Sequence, residues 1–283
     1  MVTAQALIRN FNKVKTLPHV EIRLSKLISD ENSTMREFEE VIRLDPTLVL
    51  RLLRLVNSSY YGLRQKINSI SRAVVFVGMK NLRNMIFTET LKGIMRNGSK
   101  KEAISKNELW LHSATVGICG QMISERVFEQ KGEDAFLCGI LHDIGMIIEE
   151  QVVKDLFEQA CKAYDPETKP ITEYEREFIG TDHCELGYLL AEAWNLPIAV
   201  QEGIQNHHNV LEEVSPSSVT GIIQTADYMA CQMKHPAIPG MQGVLSPTLV
   251  SHIQDNLDEY RALGKDLPNE IKKAMEIYQI DEE

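Results

Sequence analysis

Gly139-Ile140-Leu141-His142-Asp143-Ile144-Gly145 sets an imidazole beside a carboxylate inside an apolar run. Buried ionisable groups are costly unless they are paired or coordinated. This dipeptide therefore requires partners from elsewhere in the chain, and a divalent metal ion would satisfy both groups at once. The surrounding segment, Glu133 to Val153, reads as one continuous helix.

The flanking segments read as helices too. Asn107 is the expected N-cap of a helix to about Val127, and Thr172-Glu173-Tyr174-Glu175 has the form of a capping box. Further helices are expected over Asp155–Tyr164, Asp182–Trp194, Pro197–His207 and Ser217–Lys234. Ser246-Pro247 should open a helix to about Leu263, and Pro268 a last one. Upstream, Thr34-Met35-Arg36-Glu37 is a second capping box, and Asp45-Pro46 starts a helix to Val56. Ser71 caps a short helix that Gly78 ends, and another helix covers Lys80 to Met95. Asn97-Gly98-Ser99-Lys100-Lys101 is the clearest linker. No alternating strand pattern of useful length occurs, so the expected fold is all-α. Two lobes are expected: an N-terminal helical lobe over residues 1–98, and a core with trailing helices over 99–283.

Composition narrows the function class. Hydrophobic residues make up 43% of the 283, enough for a substantial core. No apolar run reaches the roughly 20 residues of a membrane span, and no signal peptide is evident. Five cysteines (Cys119, Cys138, Cys161, Cys184, Cys231) without a CxxC pair fit reduced thiols in the cytoplasm. The net charge of -10 hides a basic segment, Arg51 to Lys101, with 11 Lys and Arg against Glu89 alone. Its charges are interspersed with core-like Leu, Val and Ile, which favours a solvated face docked on acidic surface over a nucleic-acid site.

Five of the eight histidines fall between residues 107 and 210, each on or at the end of an expected helix. They are His112, His142, His183, His207 and His208. With Asp143 and Asp227 they form a set suited to Fe, Mn, Zn or Ni, as one or two ions. Glu108 lies one turn before His112 and could serve a further ion. Each has a plainer alternative. His112 could be a satisfied core histidine, and His183 could pair with Asp182 or Glu185. His207 and His208 could serve a helix dipole, and Asp227 could accept from a tyrosine.

The order His112, His142-Asp143, Asp227 resembles the signature of the HD superfamily of metal-dependent phosphohydrolases. His183 and His207-His208 resemble the added ligands of its HD-GYP branch, which acts on cyclic dinucleotides. The first half is similar to the HDOD family in Leu17-Pro18, Asp45-Pro46-Thr47-Leu48, Leu55 to Gly62, Ile67-Asn68-Ser69-Ile70 and Ala73 to Gly78. Trp194-Asn195-Leu196-Pro197 before His207-His208 continues that similarity, over residues 15 to 235. The HDOD resemblance implies a signal-transduction output module of bacterial type. It would act through a protein partner, without turnover, with a metal at an HD-type site. The HD resemblance implies the alternative, a metal-dependent phosphohydrolase acting on nucleotides or cyclic dinucleotides. The chain departs from the HD-GYP pattern at Met146, where that branch carries lysine, and in Asn209-Val210-Leu211-Glu212-Glu213, where it carries a Gly-Tyr-Pro loop. A lysine there would help hold a phosphate, and methionine cannot.

Overall fold

A computed structural model describes residues 3–14, 33–42, 69–78 and 103–278 apart from 195, 211 and 212, with scattered positions between 27 and 88. Every regular element among them is an α-helix, as expected. The chain divides into two compact units, residues 1–15 with 91–267 and residues 16–90 with 268–283. This differs from the expected division at 98. The first helix, α1 (Ala4–Val14), packs on later helices of the first unit, because Ala4, Leu7, Ile8 and Phe11 form one apolar stripe and are all buried.

The second unit contains α2 (Met35–Ile42) and α3 (Ile70–Val77). Their core joins Phe38, Val41 and Ile42 to Leu52, Val56, Ala73, Val74, Val77 and Leu82. The Thr34 capping box forms as expected: the Glu37 carboxylate accepts from the Thr34 backbone N–H at 2.8 Å. Ser69, rather than Ser71, is the N-cap of α3, and Gly78 ends it at φ 76°. Asn57 closes a turn by donating to the carbonyls of Leu53 and Ile67 and accepting from the Ile67 N–H, each at 2.7 Å. Of the helix expected over Lys80–Met95 only residues 81, 82, 84 and 88 are described, all helical, and the 97–101 linker and most of the basic segment lie outside the described residues.

The first unit holds α4 (Lys106–Arg126), α5 (Glu133–Leu141), α6 (Ile144–Val152), α7 (Lys154–Ala163) and α8 (Ile171–Phe178). It continues with α9 (His183–Ala193), α10 (Ile198–Asn206), α11 (Val219–Gln232), α12 (Pro247–Asp255) and the first half of α13 (Leu257–Tyr278). Ser105, not Asn107, caps α4, its side chain accepting from the Glu108 N–H. Ser246 caps α12 with Pro247 at its start, as expected. Pro268 sits inside α13 rather than opening a helix, and the break falls at Asn256 instead.

The long helix expected over Glu133–Val153 is two helices. His142 and Asp143 occupy the turn between α5 and α6. Two close approaches fix this turn. A Cβ on Gly139 would lie 2.5 Å from the Gly117 backbone, so α4 and α5 cross at a glycine pair. A Cβ on Gly145 would lie 2.0 Å from the His183 carbonyl oxygen, so the start of α6 touches the start of α9.

Candidate metal centre

The turn between α5 and α6 aims both side chains of the dipeptide into the middle of the first unit. There α4 brings His112, α11 brings Asp227, the first residue of α9 is His183, and α10 ends at His207 and His208. Seven of the eight expected residues converge in two groups. His112, His142 and Asp227 offer one set of ligand atoms, and Asp143, His183, His207 and His208 a second. Glu108 is not with them. It is exposed on the first turn of α4, because one turn of helix from His112 already reaches the surface.

Asp143 faces both groups. Its Oδ2 is 3.4 Å from His112 Nε2 and 3.3 Å from His142 Nε2. Its Oδ1 is 3.5 Å from His183 Nε2 and 3.4 Å from His207 Nε2. His112 Nε2 is also 3.4 Å from Asp227 Oδ1, and His183 and His207 approach to 3.4 Å through Nε2. Four ligands held tetrahedrally at about 2.1 Å lie about 3.4 Å apart. Neither Asp143 oxygen has a hydrogen-bond partner although both are fully buried, and the same is true of His208 Nε2. Orphaned buried polar atoms call for an explanation, and cations at these two points supply one.

The imidazoles are turned for that role. A carbonyl oxygen can only accept, so each Nδ1 facing one must donate. His112 Nδ1 donates to the His235 carbonyl at 2.7 Å, His142 Nδ1 to Gly139 at 2.8 Å, and His207 Nδ1 to Ile204 at 2.7 Å. His183 Nδ1 is 2.7 Å from the Glu175 carboxylate. Such contacts fix the tautomer that leaves Nε2 as an inward lone pair, as metal-ligating histidines require. The lone pairs of His112 and His142 would otherwise oppose each other at 3.1 Å.

Electrostatics agree. Burial would push the Asp143 carboxyl up, but His142, with His207 and His112, holds it well below the usual carboxylate range. Burial alone would lower His207, yet the Cys184 sulfur and Asp143 raise it to about 10. His183 is likewise raised by Cys184 and Glu175 against the effect of its burial. A divalent ion held by these rings would displace any proton they carry. His112 and His208 are lowered, chiefly by burial.

His207 does serve the end of its helix, its Nδ1 donating to the Ile204 carbonyl, while two of the other plainer alternatives meet different contacts. His183 pairs with neither Asp182 nor Glu185, since Asp182 caps α9 by accepting from the Glu185 N–H at 2.8 Å. Asp227 accepts from the Cys231 thiol at 3.7 Å rather than from a tyrosine. Glu175 is not the reciprocal member of a capping box. Its carboxylate is drawn inward by the His183 ring and backbone N–H, and Pro170 takes the N-cap position of α8. Sequence reasoning missed this outer role of Glu175, and missed Glu149 and Cys184 altogether. The signal for Glu149 was present, as a carboxylate following Ile147-Ile148 in a run with no other polar residue since Asp143.

Glu149 is fully buried on α6 with both carboxyl oxygens unpartnered. Burial, then the nearby Glu175 charge, raises its pKa well above the ordinary 4.5. The native state then holds a proton that the unfolded chain releases. The stability tied to that proton is complete below pH 4.5 and is lost as pH climbs from 4.5 to the raised native value. Glu149→Gln should remove this loss. In urea unfolding of chelated protein, the advantage of the variant should grow above pH 4.5 by up to about 1.4 kcal/mol per pH unit. An advantage independent of pH would contradict a buried neutral carboxyl.

The model of the HDOD domain family matches residues 14–210. The chain belongs to the HDOD family. The match ends before Asp227, so one member of the first group comes from beyond the matched span. The chain is 23% identical over 208 residues to a protein of Treponema pallidum (strain Nichols), covering 73% of this chain and 40% of that one. It thus spans about two fifths of that curated relative's length. Among solved structures, an HDOD domain protein of Geobacter sulfurreducens is similar with a TM-score of 0.67 at 24% identity, over 92% of this chain and 97% of that one. A candidate phosphohydrolase of Shewanella amazonensis SB2B is similar with a TM-score of 0.70 at 24% identity, over 96% of each chain. At this identity these likenesses speak for the fold. Among the described residues no helix is long and apolar enough to cross a membrane.

Proposed function

We propose that this HDOD chain is a regulatory module of the cytoplasm that holds one or two divalent ions (Fe, Mn, Zn or Ni) as a structural or sensory centre. It signals through a protein partner without turning over substrate. The observation that carries the absence of turnover is Met146. It stands where the HD-GYP branch has lysine, and its side chain is fully buried in α6. That position offers no cation to a phosphate, and the loop after His208 carries Glu212 and Glu213 instead of a phosphate-holding motif. The location rests on five free cysteines.

The alternative, hydrolysis of a nucleotide or cyclic dinucleotide, is favoured by the convergence of all seven candidate ligands. Ions held by them would supply Lewis-acid activation of water and of a phosphoryl oxygen. In that case His112, His142 and Asp227 hold one side and His183, His207 and His208 the other, while Glu175 keeps the His183 ring oriented.

Metal-reconstituted full chain incubated with cyclic dinucleotides, linear dinucleotides and nucleoside triphosphates should release no product above a buffer control. Turnover that is present in the wild type and absent in Asp143→Ala would replace this reading with the alternative.

A further inference from the structure

We infer that Gln224 is a positioning residue of the second ligand group, its amide holding the turn that presents His207 and His208. One helix, α11, then gives Asp227 to the first group and steadies ligands of the second. The inference rests on the reading of the centre as a metal site.

α10 ends at Asn206, and the last four carbonyls of a helix lack partners within it. The His207 ring takes one of them, the Ile204 carbonyl. Gln224 reaches across from α11 to take another. Its Nε2 donates to the Asn206 carbonyl at 3.0 Å and to the Asn209 carbonyl at 3.1 Å. These two residues flank His207 and His208, so a single nitrogen ties the chain on both sides of the pair. Both partners are carbonyl oxygens and can only accept, which fixes Nε2 as the amide atom that faces them. The Asn209 N–H closes the same turn by donating to the Asn206 carbonyl at 2.9 Å.

Two observations set this grip apart from an ordinary helix cap. Gln224 is only 2% exposed, and its Oε1 is buried without a hydrogen-bond partner. A buried acceptor left unpaired is costly and calls for an explanation. The two carbonyls that bracket the histidine pair supply one. The second observation is the place of Gln224 on α11. It lies three residues before Asp227 and so shares a face with it, and Asp227 Oδ1 is 3.4 Å from His112 Nε2. A shift of α11 would therefore move a ligand of one group together with the support of the other.

The test is calorimetric titration of the chelated full chain with whichever of zinc, nickel, manganese(II) and ferrous iron the wild type binds most tightly. It is run in two backgrounds, Asp227→Ala, which leaves the second group, and His207→Ala, which leaves the first. Gln224→Met keeps the length of the side chain and removes both N–H donors. It should weaken the ion of the Asp227→Ala background by about 10–100-fold, as losing an outer partner of a metal ligand does, and leave the ion of the His207→Ala background unchanged. Gln224→Asn, whose shorter amide cannot span both carbonyls, should shift the same background in the same direction, and decides the matter if Gln224→Met does not fold. Weakening of both ions alike, of the first alone or of neither overturns the inference and leaves the metal centre standing. A wild type that takes up none of the four ions overturns the metal centre and this inference with it.

Discussion

Asp143→Ala should empty both halves of the centre at once. At a metal concentration that saturates the wild type with about two ions, the variant should retain almost none. Truncation of an outer-shell partner of a metal ligand costs about 10–100-fold in affinity, and loss of a direct ligand should cost at least as much. Asp143 is singular because its Oδ2 faces His112 and His142 while its Oδ1 faces His183 and His207. Asp227→Ala should instead remove about one ion, since Asp227 belongs with His112 and His142 in the first group. His207→Ala should remove the other. A thermal readout is independent of metal analysis. An ion at about a hundred times its dissociation constant stabilises the native state by about 2.7 kcal/mol per site. That increment should vanish in Asp143→Ala and halve in the two single-site variants. An Asp143→Ala protein that still carries two ions would show that the carboxylate is not shared.

Gly145→Ala should be among the most destabilising small substitutions in the chain. The added Cβ would sit 2.0 Å from the His183 carbonyl oxygen and 2.6 Å from its carbonyl carbon and Cα. These are backbone atoms, so no side-chain rotation relieves the clash, and α6 must separate from α9. Overpacking of this kind costs about 3 kcal/mol or more, which for a unit of this size lowers the melting temperature by about 6–12 °C. The damage should also be directional. Displacing the start of α9 moves His183, so the second ion should be lost before the first. Gly264→Ala is the control, because its Cβ would meet only the Met229 methyl at 3.8 Å, an ordinary contact. In the interior of α13 that change should be neutral or stabilising by up to about 1 kcal/mol. Equal effects at the two glycines would contradict the close approach.

The sequence carried the helical class through periodicity and caps, and Thr34, Asp182 and Ser246 behave as cap chemistry requires. It also pointed to the seven residues that converge in two groups, because a histidine or aspartate in an apolar helix is conspicuous by its cost. Glu108 stands apart from them because helical spacing puts two residues on one face without saying how far that face is covered. The break at His142-Asp143 was hidden by a pattern that stays apolar through the turn. Glu175 was misread because a local capping pattern and a distant imidazole compete for the same carboxylate. The distant partner prevailed, since burial makes an unpaired histidine N–H expensive.

What the sequence determined by itself was therefore an all-helical chain with a costly His142-Asp143 pair and several residues able to satisfy it. Only the tertiary structure decided that Asp143 splits its two oxygens between two groups, that Glu175 orients His183 and that α1 packs with the site-bearing helices. These are distances between residues far apart in the chain. The glycine contacts at Gly117, Gly139 and Gly145 set them, through how closely backbones approach, and no local pattern encodes that.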